Sequence, residues 1–455
     1  MLEIKGKYCK DLKIFTNNIE ETALAQLYRL IEHPAYTDKK IRIMPDVHAG
    51  KGISVIGFSM PIDIEHDHIC PESVGCDIGC TVSATFFDKP ILDDKMKEFE
   101  HKIRKNIPFG FSINDKSKID WKCITKAINS SMDRLVSLYP NFANHAIHFN
   151  SEIDLENWCK RIRISYGDFM KAIGTVGGGN HYIEYDINND LGKYCMCVHC
   201  GSRKLGLAVF NYWNKIAKSI VITKEEMKAL TDSVKLKNTD KRNLSTELKA
   251  AKEEYLSKKI PGYLSGENLM AYLVDVLIAQ TYAKLNHKVI HEQLNEIYYK
   301  MSDGGKPIDF ISTTHNYIDY DFKALCGKPN MMIRKGAIRA YEGERVIIPF
   351  NMRDGISICE GKSNEDWNCT APHGCGRALS RSKAFDTLKV EEFQRQMADA
   401  GIYTTTADGK TLDEAPDAYK PFEEILKLIE PTVNVCYLMK PKMNIKASDT
   451  KEINE

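Results

Sequence analysis

Four histidines of this chain stand in one recurring local pattern. Each closes a short apolar run and is followed by small or polar residues: GTVGGGNH at His181, CMCVHCGSR at His199, DFISTTHN at His315 and TAPHGCGR at His373. A strand that ends on His and turns through Gly or Asn delivers an imidazole to a sheet edge, a rigid base for a ligand or a catalyst. One such residue is as often a hydrogen-bonded structural histidine. Four in the same context point to a shared site.

The surrounding elements are consistent with this. IRIMPDV, GISVIGFSMPI and CTVSATFF read as strands, and residues 90–107 and 119–138 have helical spacing. Ser265 is a plausible N-cap for a long helix through NLMAYLVDVLIAQTYAKLNHKVIHEQLNEIYYKM. Residues 222–258 are rich in Lys and Glu at helical spacing and read as a solvated helical insertion, with an RNA-facing arm as the alternative. After residue 300 the strands return as DFISTTH, NMMIRKGAIRAY and RVIIPF. Chemistry placed in both strand-rich ends can meet only in a mixed α/β core. At 455 residues a length prior alone suggests three domains.

Composition excludes some classes. With 63 basic and 62 acidic residues the net charge is +1, so any RNA contact must come from a local basic patch. Fourteen cysteines in a chain this long suit free thiols and metal ligands in a reducing compartment. The start, MLEIKGKYCKDLKIF, is charged throughout, and no run approaches a membrane span. A cytoplasmic location is expected, and the tail after Ala447 is polar and expected to fray.

In VGCDIGC, residues 74–80, Asp77 and Cys80 lie three apart in a Gly-flanked turn, with Cys76 as a competing thiol. A carboxylate and a thiolate together suit a transition metal better than Mg²⁺ or Ca²⁺. Cys195, Cys197 and His199 share one strand face, but no CxxC pair partners them, so the two cysteines are expected to be buried small hydrophobes. His287 and His291, four apart, lack the Glu of HExxH and read as structural; nothing repeats around His66, His68, His145 or His148. GTVGGG lacks the strand-to-helix context and the later acid of a dinucleotide site. In APHGCGRALSR, residues 371–381, Gly374 and Gly376 let backbone approach phosphates, and Arg377 and Arg381 can clamp them beside His373. An imidazole there can act as acid, base or nucleophile toward phosphorus. These residues by themselves lead to a metal-dependent phosphoryl- or nucleotidyl-transfer enzyme. A two-metal phosphoesterase of RNA ends, or an RNA-binding scaffold with a degenerate site, stays open at this point.

Seven blocks then resemble the RtcB RNA ligase family in the same order: MPDVHAGKG (44–52), VGCDIGC (74–80), GGGNHYIE (177–184), VHCGSRKLG (198–206), STTHN (312–316), IRKGA (333–337) and HGCGRALSR (373–381). The resemblance implies one large α/β domain over residues 1–447, a mixed β-sheet core surrounded by helices with a charged helical insertion around 220–300, then a polar tail at 448–455. It implies a ligase that uses GTP and two Mn²⁺ ions to join RNA 2′,3′-cyclic phosphate or 3′-phosphate ends to 5′-hydroxyl ends, in RNA repair or tRNA splicing. An archease-like activator is the further partner it raises.

Residue by residue, the resemblance assigns Asp77, Cys80, His181, His199 and His315 as metal ligands, with Cys80 bridging, and His373 as the guanylylated nucleophile. Asn180 would meet nucleotide phosphates beside Gly374 and Gly376, Tyr182 and Glu184 would line the base pocket, and Lys446 would touch guanine. Arg203, Arg377 and Arg381 would bind phosphates, and Asp46 and His48 would sit near the metals. The family's PGSMG segment is replaced here by PFNMRDGIS (349–357), where Asn351 and Arg353 stand for small residues; Arg353 is expected to face solvent or pair with Asp354. The chain also runs on past Lys446.

Overall fold

The computed structural model describes residues 1–221, 224–237, 244–257, 262–322 and 331–447; the 448–455 tail and part of the 222–258 stretch lie outside them. Two sheets carry the molecule. The first joins β1 (Leu2–Ile4), β2 (Asp11–Ile14), β3 (Lys40–His48), β4 (Ile56–Ile62), β10 (Met331–Lys335) and β9 (Asn316–Asp319), in the order β1-β2-β3-β4-β10-β9. It is mixed, because β2 and β3 run parallel while its other pairs are antiparallel. The second is antiparallel throughout: β12 (Arg345–Pro349), β13 (Ile356–Gly361), β15 (Val433–Lys446), β6 (Tyr182–Asn188), β7 (Lys193–Cys200), β5 (Thr81–Phe87) and β8 (Pro307–Thr314), in that order. A two-stranded piece pairs β11 (Ala337–Arg339) with β14 (Thr370–Pro372).

The seven-stranded sheet curls until its ends meet. The Ile347 N–H on β12 donates to the Thr313 hydroxyl on β8 at 2.9 Å, and Arg345 pairs with Asp309 across the same seam. The result is a nearly closed barrel with helices around it, which removes unpaired edges. Its interior packs Val82, Ala84, Phe86, Tyr182, Cys195, Cys197, Ile347, Ile358 and Met439. The alternation along TVSATFF explains this. Val82, Ala84 and Phe86 point inward, while Ser83, Thr85 and Phe87 face the helical layer.

That layer is built on the helix Gly266–Met301, which starts just after Ser265 as expected, although the Ser265 hydroxyl makes no cap bond. It is buried on nearly every side from Leu269 to Ala283, as a segment packed on several sides must be, while Lys284, Lys288, Glu292, Glu296 and Lys300 keep one face exposed beyond that. This helix is therefore mostly core, and the charged character of the 220–300 stretch belongs chiefly to the two preceding helices, Lys224–Lys237 and Leu244–Ser257. His287 and His291 are structural, as their spacing suggested. Ser83 Oγ lies 2.6 Å from His287 Nδ1 and 2.7 Å from His291 Nε2, and His287 Nε2 reaches the Cys200 carbonyl at 2.8 Å. GTVGGG runs from the helix Tyr166–Lys171 into β6, the reverse of a dinucleotide-binding turn. The described cysteines are all free thiols, and no helix among the described residues is long and apolar enough to cross a membrane.

Candidate metal centre and nucleotide pocket

Antiparallel pairing puts one end of four neighbouring strands at the same edge. β5 begins at Thr81 and β6 at Tyr182, while β7 ends at Cys200 and β8 at Thr314. Thr81 pairs with both Cys200 and Thr314, and Tyr182 pairs with His199. Cys80, His181, His199 and His315 therefore converge from positions 235 residues apart in the chain. Cys80 Sγ lies 3.3 Å from His181 Nε2 and 3.1 Å from His199 Nε2; His199 Nε2 lies 3.3 Å from His315 Nε2; His181 Nε2 lies 3.1 Å from Asp77 Oδ2. Cys80, His181 and His199 form a buried cluster able to hold a metal ion. Cys195 and Cys197 are buried in the barrel and stand outside it. Cys76 lines a neighbouring cavity instead.

The donor set fits a transition metal: one soft thiolate, three imidazoles and a carboxylate. Burial, reinforced by the neighbouring imidazoles, pushes the His199 and His315 pKa values well below the usual histidine value. Both rings are thus neutral at physiological pH, the form that binds metal. Burial would raise the Asp77 pKa, but the charge and hydrogen bond of His181 prevail and hold it at about 2. Two glycines are required by close approach. A Cβ on Gly177 would stand 2.0 Å from His181 Nδ1, and one on Gly376, at φ +72°, would stand 2.1 Å from the Asp46 carbonyl oxygen.

His373 lies beside this centre, its ring 5.0 Å from that of His315. Its Nδ1 contacts Asp46 Oδ2 at 2.6 Å, and its backbone N–H donates to the same oxygen at 3.1 Å. Asp46 is fully buried at the end of β3, with His48 next to it. His48 Nδ1 donates to the Asp46 carbonyl at 2.9 Å, and burial lowers the His48 pKa to about 3. A carboxylate on Nδ1 fixes the tautomer and leaves Nε2 as the free lone pair.

A cavity of about 90 Å³ opens from His373 and His199. Asn180, Tyr182, Glu184, Gly374, Gly376, Arg377 and Lys446 line it, together with Asn351 and Met352 of the altered segment. Lys446 Nζ stacks 5.3 Å over the Tyr182 ring and pairs with Glu414 at 3.1 Å. Arg377 and Arg381 also pair with Glu414, and Arg381 with Asp413 at 2.5 Å. Burial would raise the Glu414 pKa, but Lys446, Arg377 and Arg381 hold it well below the carboxylate range. Arg353 pairs with Asp354 at 2.8 Å, and Asn351 caps the same turn, so this segment's charge is spent locally. Arg203 lines a second cavity, of about 100 Å³, with Asp77, His181 and Arg381 on the other side of the cluster. It bonds to Thr175 Oγ1 at 3.0 Å and the Gly110 carbonyl at 2.5 Å.

The structure thus gathers the sequence-derived residues around one centre flanked by two cavities. Sequence reasoning missed Glu414, Asp413, Asn444 and Asp186. None carries a motif signal: Asp413 and Glu414 sit in a plain TLDEAPDAY loop, and Asp186 follows Glu184 on an ordinary strand. Asp186 alone was legible in principle, as a second acid on the same strand face.

Comparison with known proteins agrees with this geometry. A family model described as tRNA-splicing ligase RtcB matches residues 26–447. The chain is 27% identical to the RNA-splicing ligase RtcB of Escherichia coli K12 over 448 residues, covering 96% of this chain and 97% of that protein. It is 24% identical to the tRNA-splicing ligase RtcB of Aeropyrum pernix, covering 85% of this chain and 83% of that one. The match to the family model over nearly its whole length shows that the chain belongs to the RtcB family of RNA- and tRNA-splicing ligases.

Proposed function

We propose that this protein is a GTP-dependent RNA ligase that joins a 3′-phosphate or 2′,3′-cyclic phosphate end to a 5′-hydroxyl end through a guanylylated His373. The observation that carries the reading is the Asp46–His373 contact, 2.6 Å at Nδ1, beside a buried thiolate–imidazole cluster. It leaves Nε2 unprotonated as a nucleophile.

The steps balance as follows. His373 Nε2 attacks the α-phosphorus of GTP, the bond to the β-phosphate oxygen breaks, and pyrophosphate leaves. An RNA 3′-phosphate oxygen then attacks the same phosphorus and frees the histidine, giving RNA-3′-pp-5′-G. The 5′-hydroxyl attacks the RNA 3′-phosphorus, loses its proton, and releases GMP as the phosphodiester forms. A cyclic end is first opened by water to a 3′-phosphate. Two Mn²⁺ ions bound by Asp77, Cys80, His181, His199 and His315 would neutralise phosphate charge. Asp46 holds the His373 tautomer and stabilises the charge that its ring acquires. Asn180, Gly374 and Gly376 cradle the nucleotide phosphates, Tyr182, Glu184 and Lys446 face the base, and Arg203, Arg377 and Arg381 meet phosphates of RNA or nucleotide.

The test is covalent labelling. Manganese-loaded protein incubated with α-labelled GTP should retain label through denaturing electrophoresis. It should then pass the label to RNA bearing a 3′-phosphate. Hydrolysis of RNA ends with no labelling would instead support a phosphoesterase, and RNA binding with neither would support a scaffold.

A further inference from the structure

Next to Glu184 on its strand, outside the nucleotide cavity, lies a second acid that has no cation of its own among the described residues. Asp186 is two residues on along β6 and therefore on the same strand face. It is fully buried and does not line the cavity. Among the described residues its Oδ1 has no hydrogen-bond partner, Cys195 Sγ lies 4.0 Å from its Oδ2, and the Asn444 side-chain oxygen is likewise buried without a partner. Around the two acids, Tyr182 lies on their own strand, Cys195 and Cys197 on β7, and Lys446 on β15, where Asn444 also donates to Glu184. The one cation among them, Lys446, is paired with Glu414.

Two carboxyl groups buried side by side on one strand face, with no cation set against the inner one, cannot both be ionised without a large electrostatic penalty, so they hold one proton between them. We infer that Asp186 is a positioning residue for base recognition. It carries that shared proton and donates it to Glu184, so that Glu184 meets a purine as a hydrogen-bond acceptor. The inference rests on the reading above that Glu184 faces the base of a guanine nucleotide. Burial, and then the charge of Glu184, push the Asp186 pKa far up; burial lifts that of Glu184 to about 7, against the hydrogen bonds from Asp186 and Asn444. The arrangement makes nucleotide choice sensitive to pH on both sides. Acid protonates Glu184 itself and removes the acceptor that guanine N1–H and N2–H₂ need. Alkali strips the shared proton and leaves two anions in contact.

The test uses the manganese-loaded full chain and α-labelled GTP from about pH 6 to about pH 8.5, below the range in which guanine N1–H is itself lost. The apparent KM for GTP should be lowest near neutrality and rise on both sides. Asp186→Asn keeps a fixed N–H donor, so its alkaline rise should disappear. Asp186→Ala has no donor, and its KM at neutral pH should rise about ten-fold, with the effect in KM rather than in the maximal labelling rate. An alkaline rise in Asp186→Asn equal to that of wild type would overturn the inference, as would an Asp186→Ala KM equal to wild type. If the alanine variant does not fold, the asparagine variant decides. Infrared difference spectra of the protein without nucleotide supply a second readout. The protonated-carboxyl band should be present at neutral pH in wild type and lost in Asp186→Asn; its absence from wild type would overturn the shared proton. Wild type that takes no label from GTP at all would defeat the ligase reading, while the infrared arm would still judge the pair.

Discussion

Three side chains separate three chemistries that a single activity assay would merge. His373 touches its neighbours through Nδ1 and stands outside the Cys80, His181 and His199 cluster. His373→Ala should therefore abolish GMP attachment and leave metal content unchanged, read by labelling and by elemental analysis of the same sample; label near wild-type level would remove the nucleophile assignment. Cys80 and Cys76 are the opposite comparison. Cys80 Sγ reaches the His181 and His199 nitrogens, while Cys76 lines the neighbouring cavity. Cys80→Ser should lose bound metal and activity because a hydroxyl is a far poorer ligand than a thiolate, whereas Cys76→Ser should keep both. The reverse order would mean that the turn is read in the wrong register. Glu184 governs base choice. GTP should be preferred over ATP by about a hundred-fold, since adenine lacks the donors that a buried carboxylate needs. Glu184→Ala should erode that preference more than it erodes metal binding. Arg353 pairs with Asp354 and does not line the cavity, but Asn351 and Met352 of the altered segment do; equal labelling of wild type by α-labelled ATP and GTP would show that this segment overrides Glu184.

At the scale of elements, the site depends on links between pieces that are distant in the chain. Arg334 on β10 is the largest fully buried side chain among the described residues. It binds Asp319 of β9 at 2.6 Å, Tyr317 at 3.1 Å and Thr370 of β14 at 3.0 Å. It thereby ties the strand after His315 to the strand before His373. Asp319→Ala would leave that guanidinium buried without its partner, which costs about 3–5 kcal/mol in comparable cases. Denaturant unfolding should show a loss of that size, and a loss under 1 kcal/mol would mean that Arg334 finds water or another acceptor. The strands themselves were legible. TVSATFF, RVIIPF and the His-terminated runs have strand period and turn residues at their ends. Their pairing was not: β6 and β15 are adjacent although about 250 residues separate them, and local pattern carries no record of a partner that far away.

Across the whole molecule, one buried charge network joins the loop after His373, the 413–414 turn and the C-terminal strand. Glu414 is its centre, meeting Arg377, Arg381 and Lys446. Its pKa is depressed in the folded state. The sign follows: the stability it contributes is complete above the ordinary carboxylate range and is lost as pH falls through and below that range. Glu414→Gln should be less stable than wild type by about 3 kcal/mol at neutral pH. The gap should narrow below about pH 4.5, where the unfolded wild-type chain takes up a proton at Glu414 while the folded state still holds it ionised. A gap that stays constant down to acid would assign the loss to packing instead of charge.

The sequence by itself determined the strands that end at His199, His315 and His373, the long helix, the thiol–carboxylate turn and, through seven ordered blocks, the family; GTVGGGNH is no strand, because its glycines form a loop and His181 stands just before β6. These are local or collinear signals, carried by side-chain period, turn chemistry and motif order. Tertiary structure alone decided which distant residues face one another: Asp46 on His373, Glu414 on Lys446. A carboxylate in an unremarkable loop or strand looks the same whether it faces solvent or a buried cation. Only the closing of the sheet, which removes water and brings distant strands to a common edge, turns it into part of a site.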